Sequence, residues 1–386
     1  MTHSLTLRKF VAPEFIFGVG ALQLVGQYGR NLGGTKALIV SDPGVVAAGW
    51  AKQVLASVEA AGLDWTLFTK VTPNPRMEEI TDGAVVYARE GCDVIIAVGG
   101  GSSIDSAKCI GLLAANPGHL RDYVGADKVS APMPPTVCIP TTAGTSADVS
   151  QFAVVMDREK RSKLLIISKA LVPDISLIDP TTLTTMDTFL TACTGLDALT
   201  HAIEAYVSRG ASPLTDLHAL EAMRLVSANL ERSLAEPHNL EYRTNMMLAS
   251  LEAGLAFSNA SLGAVHAMSH SLGGVLDLPH GQCNVTIMEG VIDFNYEQAA
   301  PRFRDVAMAL GIEIGGLTSG EIRKRLIAEI RRLREVAKLS DTLSRFGVHR
   351  TETHDLADFA LRDPCCVTNP RPPVRRDFEV IYEESL

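Results

Sequence analysis

Strand-like and helix-like segments alternate through the first half of the chain, and this alternation limits the fold more than any other feature. Short runs rich in β-branched residues begin at Lys36, Asp64, Asp93 and Thr136, and helical patterns lie between them. Such strand–helix alternation is typical of α/β proteins with parallel sheets. The first half therefore predicts an α/β domain built on a parallel, doubly wound sheet.

The pattern changes after Pro180. Long helical stretches follow, for example at residues 188–208 and 212–234, and β-branched runs become rare. We therefore predict a boundary near residue 184, with an α/β domain over residues 1–184 and an all-helical domain over residues 185–386.

Composition and charge exclude several classes of protein. Hydrophobic residues make up 46% of the 386 residues and charged residues 20%, as in ordinary globular proteins. The formal net charge of −9 argues against nucleic acid or an anionic membrane as the main partner. The most basic stretch, residues 322–338, spaces its apolar residues as an amphipathic helix does. We interpret its basic face as solvated; a binding patch is the alternative.

Targeting and cysteine patterns also restrict the interpretation. No stretch reaches the ~18 consecutive apolar residues of a membrane span. The first twenty residues contain no apolar run behind a basic segment, so we expect no signal peptide. The seven cysteines are scattered without a CxxC pair, which favours neither a disulfide framework nor a thiolate zinc site. We expect a soluble cytoplasmic protein with no membrane or nucleic-acid partner.

A glycine-rich loop joins a predicted strand to a predicted helix at Gly99–Ser102. Glycines let the backbone approach a phosphate closely, and a helix N-terminus offers free N–H groups. The order of the motif is unusual, because the acidic residue at a strand end, Asp42, lies upstream of the loop. Asp42 could hold a ribose hydroxyl and would repel a 2′-phosphate, which favours NAD over NADP. A tight strand-to-helix turn without a ligand is the alternative.

A second loop repeats this arrangement. Pro140 ends a predicted strand, and four hydroxyl residues surround Gly144: Thr141, Thr142, Thr145 and Ser146. Such a loop could hydrogen-bond a nicotinamide ribose or a pyrophosphate. It could also be only a helix cap with turn residues.

Five residues are candidates for a metal site. His266, His270 and His280 lie within fifteen residues, and Asp197 and His201 lie four residues apart in a helical pattern. Side chains four residues apart share one face of a helix. Each pair alone is more often part of a protein surface or of a satisfied core than a pair of metal ligands. Burying a carboxylate with several imidazoles and no cation is costly, however. Spacing alone does not decide which of the five bind a metal that needs three or four ligands.

The arrangement of the histidines depends on a helix end. A helix through His266 and His270 is expected to end near Gly273–Gly274, and Pro279 is expected to set a turn that folds His280 back towards it.

Together, these segments resemble the iron-containing (group III) alcohol dehydrogenases. Members of this family pair an N-terminal dinucleotide-binding domain with a helical metal-binding domain, in a dehydroquinate synthase-like architecture. The matching segments run in family order through nearly the whole chain: "GGGSSIDSAK", "IPTTAGTSADVS", "LVPDISLIDPTTLTTM", "GLDALTHAIEAYVS", "HAMSHSLGG", "LPHGQCN" and "TNPRPP".

The resemblance implies roles for particular residues. It makes Asp197, His201, His266 and His280 the metal ligands, and it places His270 beside the substrate as a proton-relay or orienting residue. The implied metal is Fe²⁺, although Zn²⁺, Co²⁺ or Mn²⁺ could occupy such a ligand set. The residues expected to bind NAD are Asp42, Gly99, Gly100, Gly101, Ser102, Thr141, Thr142, Ser146 and Lys163.

One position departs from the family pattern. Asp187 stands where members commonly have proline after a methionine. We expect a changed helix start there, with the chemistry intact.

The implied function is that of a metal-dependent, NAD-linked alcohol dehydrogenase, which transfers hydride reversibly between a small primary alcohol and its aldehyde. Phe152 and Phe257 favour an apolar pocket for uncharged substrates. Family precedent predicts a homodimer or larger homo-oligomer. Three alternatives remain: a hydroxy-acid or diol dehydrogenase of the same family, a regulatory paralog that binds NAD and metal with little turnover, and a structural α/β protein with accidental histidines.

Overall fold

Nine strands lie in the part of the chain that the computed structural model describes, residues 9–278 and 280–386. They are β1 (Glu14–Phe17), β2 (Lys36–Val40), β3 (Asp64–Phe68), β4 (Val94–Gly99), β5 (Gly125–Ala126), β6 (Thr136–Pro140), β7 (Phe152–Asp157), β8 (Ser162–Ile167) and β9 (Ile175–Ile178). Six of them form one sheet in the order β1-β9-β6-β4-β2-β3, and every neighbouring pair is parallel. The predicted parallel sheet is confirmed.

The order of the strands explains where a ligand can bind. Strands β2 and β4 are adjacent. The chain continues from β2 to β3 on one side of this pair and from β4 to β6 on the other side, so the direction of strand order reverses between them. In open α/β sheets, the crevice at such a reversal, at the carboxyl ends of the strands, receives ligands. Asp42 follows β2 and Gly100 follows β4. The two sequence features predicted to bind a nucleotide therefore flank the same crevice.

A second, smaller sheet was not predicted. It has the order β5-β8-β7, and its strands β7 and β8 form an antiparallel hairpin. This hairpin carries Phe152 at its start and Lys163 on its return strand. Sequence alternation along residues 152–167 is weak because most of the hairpin is buried, so it lacks the polar face that marks an exposed strand.

Helices make up the rest of the fold. Those between the strands are α1 (Val25–Asn31), α2 (Pro43–Ala47), α3 (Trp50–Ala60), α4 (Met77–Glu90) and α5 (Gly101–Ala115). Those after β9 are α6 (Thr188–Val207), α7 (Pro213–Ala235), α8 (Leu240–Ala260), α9 (Ala264–Leu276), α10 (His280–Asn295), α11 (Ala300–Ala309), α12 (Ser319–Val336), α13 (Thr353–Leu361) and α14 (Arg375–Glu384). Short 3-10 turns, such as Pro364–Thr368, connect several of them. The predicted change from α/β to helical structure is confirmed; the boundary at residue 184 stays a prediction.

Two helices are buried along most of their length. Every residue of α6 from Thr191 to Val207 is buried, and so is every residue of α9 from Ala264 to Gly274. The polar residues on these helices are therefore held away from water. Helix α9 ends at Leu276, two residues beyond the expected end, and Pro279 lies outside the described residues, so its turn stays a prediction.

The basic stretch forms the amphipathic helix expected of it. Four apolar residues of α12 are buried: Ile322, Leu326, Ile330 and Leu333. Arg331 and Arg332 lie on the outer face, where they pair with Glu289 and Glu329. Within the described residues, no helix combines the length and the hydropathy that crossing a bilayer requires.

Asp187 directly precedes helix α6 and caps its N-terminus. Its exposed side chain accepts a hydrogen bond from the backbone N–H of Leu190 at 2.7 Å, as an N-cap residue does. The chain thus starts this helix with a cap where the family pattern has a proline.

We predict that Asp187→Ala lowers the free energy of unfolding by about 1 kcal/mol, because it removes the cap of α6. Urea denaturation followed by circular dichroism measures the change. Asp187→Ser restores a capping oxygen and should recover most of the loss. Equal stability of the alanine variant and the wild type would show that the cap contributes nothing.

Candidate active site

The four predicted metal ligands meet where three helices converge. Helix α6 carries Asp197 and His201, α9 carries His266, and α10 begins at His280. One possible ligand atom each from Asp197, His201 and His266 lies within 4.8 Å of the other two. Oδ1 of Asp197 also lies 3.8 Å from Nε2 of His266 and 3.8 Å from Nε2 of His280. The carboxylate is thus surrounded by imidazole nitrogens.

A backbone carbonyl of the N-terminal part orients His201. The Nδ1 atom of this ring lies 3.1 Å from the carbonyl oxygen of Gly144, which can only accept a hydrogen bond. Nδ1 therefore carries the proton, and Nε2 is left with a free lone pair. The ring stacks on Phe257 and on His266, with centroids 4.3 and 4.5 Å apart. Gly144 itself must be glycine, because a Cβ there would lie 2.8 Å from the backbone of Thr194 in α6.

Sequence reasoning missed Glu204, which holds His266 in place. Its Oε2 atom lies 2.6 Å from Nδ1 of His266 and accepts a hydrogen bond from the N–H of Gly263 at 3.1 Å. Its Oε1 accepts from the N–H of Val265 at 2.7 Å. One buried carboxylate therefore caps helix α9 and leaves Nε2 of His266 to face Asp197. The available signal was spacing, since Glu204 follows Asp197 and His201 on the same face of one helix.

The charges of the site suit a cation. Burial raises the pKa of Asp197, but the neighbouring imidazoles, first of all His201, lower this pKa by more than burial raises it. The carboxylate therefore stays ionised. Burial lowers the pKa of His201 to about 4 and that of His280 well below its ordinary value, which keeps both rings neutral, as metal ligands must be. Burial acts in the same direction on His266, but the hydrogen bonds to Asp197 and Glu204 outweigh it and raise its pKa to about 9. His266 must therefore give up a proton when a metal binds.

Two polar atoms beside these ligands are buried without a partner among the described residues. Asn284 donates to Oδ1 of Asp197 at 2.7 Å, yet its own Oδ1 and the Nδ1 atom of His280 make no hydrogen bond to any described residue. Buried polar atoms are normally satisfied. A donor set of one carboxylate and three imidazoles fits Fe²⁺ or Zn²⁺, so the residues present fit a divalent metal.

The two loops predicted to bind the nucleotide lie against each other at the crevice of the sheet. A Cβ on Gly100 would lie 3.0 Å from the side chain of Thr142, and one on Gly101 would lie 2.8 Å from Thr145. Asp42 caps helix α2 with its Oδ1 and accepts a hydrogen bond from Ser103 with its Oδ2 at 2.9 Å. The predicted residues of the two loops are thus brought together with Asp42.

A cavity of about 110 Å³ lies between the loops and the candidate metal ligands. Several predicted residues line it, namely Gly101, Ser102, Lys163, His201, His266, His270 and His280. Its apolar wall includes Phe152, Phe257 and Leu262. The cavity therefore joins the glycine loop to the histidine cluster.

Asp105 is a second residue that sequence reasoning missed, although it lies in the quoted motif "GGGSSIDSAK". It lines the cavity, and its Oδ2 accepts from the N–H of Val154 at 3.0 Å, whereas Oδ1 is buried with no partner in the part of the chain that the structure describes. Burial raises the pKa of Asp105 to about 6, against the opposing effect of Lys108. Burial also disfavours the charged form of Lys163 and so lowers its pKa. Asp105 therefore lines the cavity with a carboxylate that has one acceptor oxygen to spare.

Ser146 is placed differently from the rest of its loop. Its hydroxyl donates to the carbonyl oxygen of Ser250 in α8 at 2.5 Å, and its side chain is buried. The neighbours that line the cavity are Thr145 and Ala147. The assignment of Ser146 to the cofactor stays a prediction, as do those of Thr141 and Thr142.

Comparison with known families decides the identity of the chain. Residues 12–180 match the family described as "Iron-containing alcohol dehydrogenase", and residues 191–386 match "Fe-containing alcohol dehydrogenase family, C-terminal". This chain belongs to the iron-containing alcohol dehydrogenases. The predicted family is confirmed, and with it the predicted class of enzyme, an oxidoreductase of the alcohol dehydrogenase type.

The sequence of this iron-containing alcohol dehydrogenase aligns with those of individual relatives over nearly its whole length. It is 37% identical over 377 residues to the NAD-dependent methanol dehydrogenase of Bacillus methanolicus, covering 98% of this chain and 99% of that one. It is 39% identical over 372 residues to the 1,3-propanediol dehydrogenase of Klebsiella pneumoniae, covering 96% of each. A solved structure of a 1,3-propanediol oxidoreductase superposes with a TM-score of 0.95 at 38% identity, covering 99% of this chain and 100% of that one.

We predict that Glu204→Gln weakens metal binding by about 10- to 100-fold, because the ring of His266 loses the carboxylate that fixes its orientation. Competition with a chelator, followed by metal analysis of the dialysed protein, measures the loss. Glu252→Gln is the matched control, since Glu252 also contacts a histidine, His218, but on α7 and away from the cavity. Equal metal affinity in both variants would contradict the assigned role of Glu204.

Proposed function

We propose that this protein is an NAD-linked, metal-dependent dehydrogenase of small, uncharged primary alcohols, and that it works reversibly on the corresponding aldehydes. One observation carries the proposal: three imidazoles that lie around the buried carboxylate of Asp197 line the same cavity as the glycine loop. The set fits a metal, and the loop fits a dinucleotide. The names of the relatives, a methanol and a propanediol dehydrogenase, support the substrate class.

The proposed ligands are Asp197, His201, His266 and His280. When bound, the metal polarises the oxygen of the alcohol or aldehyde, and the nicotinamide accepts or donates the hydride. The chain itself positions the reactants and excludes water. Phe152, Phe257 and Leu262 provide an apolar wall for the carbon chain of the substrate. His270 lines the cavity beside them and is the residue proposed to pass the hydroxyl proton towards solvent.

The proposed dinucleotide site begins at the crevice between β2 and β4. Asp42 is placed to bind a ribose hydroxyl, and Gly99 to Ser102, at the start of helix α5, to bind the pyrophosphate. Thr141, Thr142, Ser146 and Lys163 complete the proposed set. We add Asp105, whose unpartnered oxygen can accept a hydrogen bond from the nicotinamide half of the cofactor.

A diol dehydrogenase is the second candidate. The propanediol relative supports it, and polar residues such as Asn74 and Ser150 line the cavity beside its apolar wall. We also propose a homodimer or larger assembly with a cytoplasmic location. The edge strand β1 supports assembly, because no strand of residues 9–278 or 280–386 pairs with its outer edge and Phe15 on it is exposed.

The first experiment combines metal analysis with NADH formation on a panel of straight-chain alcohols, diols and hydroxy acids. We expect one equivalent of metal and the highest kcat/KM on short primary alcohols, because the pocket wall is apolar. His266→Ala should lose both metal and activity.

Other results would redirect the interpretation. A preference for diols selects the second candidate. Full metal occupancy and NAD binding without turnover on any substrate would identify a regulatory paralog. Absence of metal after loading with Fe²⁺ or Zn²⁺ would overturn the ligand assignment.

A separate prediction concerns Asp105. We expect Asp105→Ala to raise the Kd for NAD⁺ roughly tenfold or more, because a hydrogen bond to a charged acceptor is lost. Isothermal titration calorimetry measures the affinity, and metal content should remain that of the wild type. An unchanged Kd would remove Asp105 from the cofactor site.

A further inference from the structure

A second cluster of polar side chains adjoins the metal ligands. One possible ligand atom each from His270, Asp363 and Cys365 lies within 4.8 Å of the other two. Nδ1 of His270 lies 2.8 Å from Oδ2 of Asp363, and the two side chains are only 6% and 8% exposed. The pairing joins helix α9 to the connection between α13 and α14, 93 residues later in the chain.

Asp363 is itself held firmly. Its Oδ1 accepts a hydrogen bond from the N–H of Cys365 at 2.8 Å, so the residue caps the 3-10 turn Pro364–Thr368. Burial raises the pKa of Asp363, but His270 and the hydrogen bond from Cys365 lower it below its ordinary value. Both oxygens of an ionised carboxylate are therefore engaged, one with the turn and one with the imidazole.

An ionised carboxylate can only accept hydrogen bonds, so Nδ1 of His270 is the donor. In a neutral imidazole this leaves Nε2, on the opposite edge of the ring, as an acceptor. His270 lines the cavity, and its ring stacks on that of His280 with centroids 5.3 Å apart. The orientation that Asp363 imposes is thus the one that exposes a proton-accepting nitrogen to the reaction site.

We propose that Asp363 is the positioning residue for His270, fixing its tautomer and its orientation so that Nε2 faces the substrate. The catalytic role of His270 rests on the proposed function, whereas the geometry of the pair does not. Asp363 acts through the imidazole, since the residues that line the cavity include His270 and not Asp363.

A second metal ion is the other use to which such a cluster could be put. Two features oppose it. The donors already satisfy one another, because Oδ1 and Oδ2 of Asp363 are bonded to Cys365 and His270. Burial also raises the pKa of the Cys365 thiol well above its ordinary value, so this residue stays protonated and is a poor ligand.

The first test reads the tautomer directly. The holoenzyme is reconstituted with Zn²⁺, which is diamagnetic, and labelled with ¹⁵N at histidine; loss of one signal set in His270→Gln assigns the resonances. We expect wild-type His270 to carry its proton on Nδ1. A proton on Nε2 would overturn the proposal, as would two equivalents of Zn²⁺ bound per chain.

The second test is kinetic. In Asp363→Asn the amide oxygen can satisfy Cys365 only by turning its NH₂ group towards Nδ1 of His270, which reverses the tautomer. We expect kcat to fall roughly 10²-fold, the contribution typical of a positioned proton-transfer group. The KM for NAD⁺ and the metal content should stay within about twofold of wild type, as for a loss confined to the transition state.

Asp358→Asn is the matched control, because Asp358 lies on α13 and pairs with the exposed Arg375 instead. It should leave kcat unchanged. An Asp363→Asn variant with wild-type kcat would overturn the proposal, and if that variant fails to fold, the tautomer of the wild type still decides. A wild type inactive on every alcohol but protonated on Nδ1 of His270 would reject the proposed function and keep the pairing.

Discussion

The charge of Asp197, buried inside helix α6, is the constraint on which the rest of the catalytic half depends. An isolated carboxylate at such a position is strongly unfavourable. Two imidazoles, His266 of α9 and His280 of α10, place Nε2 at 3.8 Å from Oδ1 of Asp197, and the amide of Asn284 donates to the same oxygen at 2.7 Å. Helices α6, α9 and α10 must therefore meet at this point, and their small and apolar residues let them approach. The cation that this arrangement fits would complete the balance of charge.

Each of three imidazoles is oriented through its second nitrogen by an acceptor from elsewhere in the fold. His201 uses the carbonyl of Gly144, His266 uses Glu204, and His270 uses Asp363. A ring held at Nδ1 presents Nε2 in one direction only, so the acceptors determine what the histidines can do. The difference between the proposed ligands and the proposed proton-transfer residue thus lies in where each ring points, since the residue type is the same.

Sequence reasoning reached the parallel sheet, the helical second half and the histidine cluster, because each has a local signal in periodicity or spacing. It could not choose between His270 and His280 as a ligand without the family resemblance. It missed Glu204, Asp105 and Asp363, whose partners lie 62, 49 and 93 residues away; no local pattern encodes such pairings. It also missed the hairpin of β7 and β8, whose burial removes the alternation that marks a strand.

The carbonyl of Gly144 has a consequence for how proteins of this kind can change over time. It belongs to the segment that carries the glycine loop, yet it orients a histidine of the segment that carries the proposed metal ligands. The two halves match separate family descriptions, over residues 12–180 and 191–386, but they are not interchangeable modules. Recombination between distant relatives would join a foreign loop to a resident histidine, and a displacement of a few tenths of an ångström there would disturb the ligand set without altering any ligand. The segments are therefore expected to have diverged as a pair.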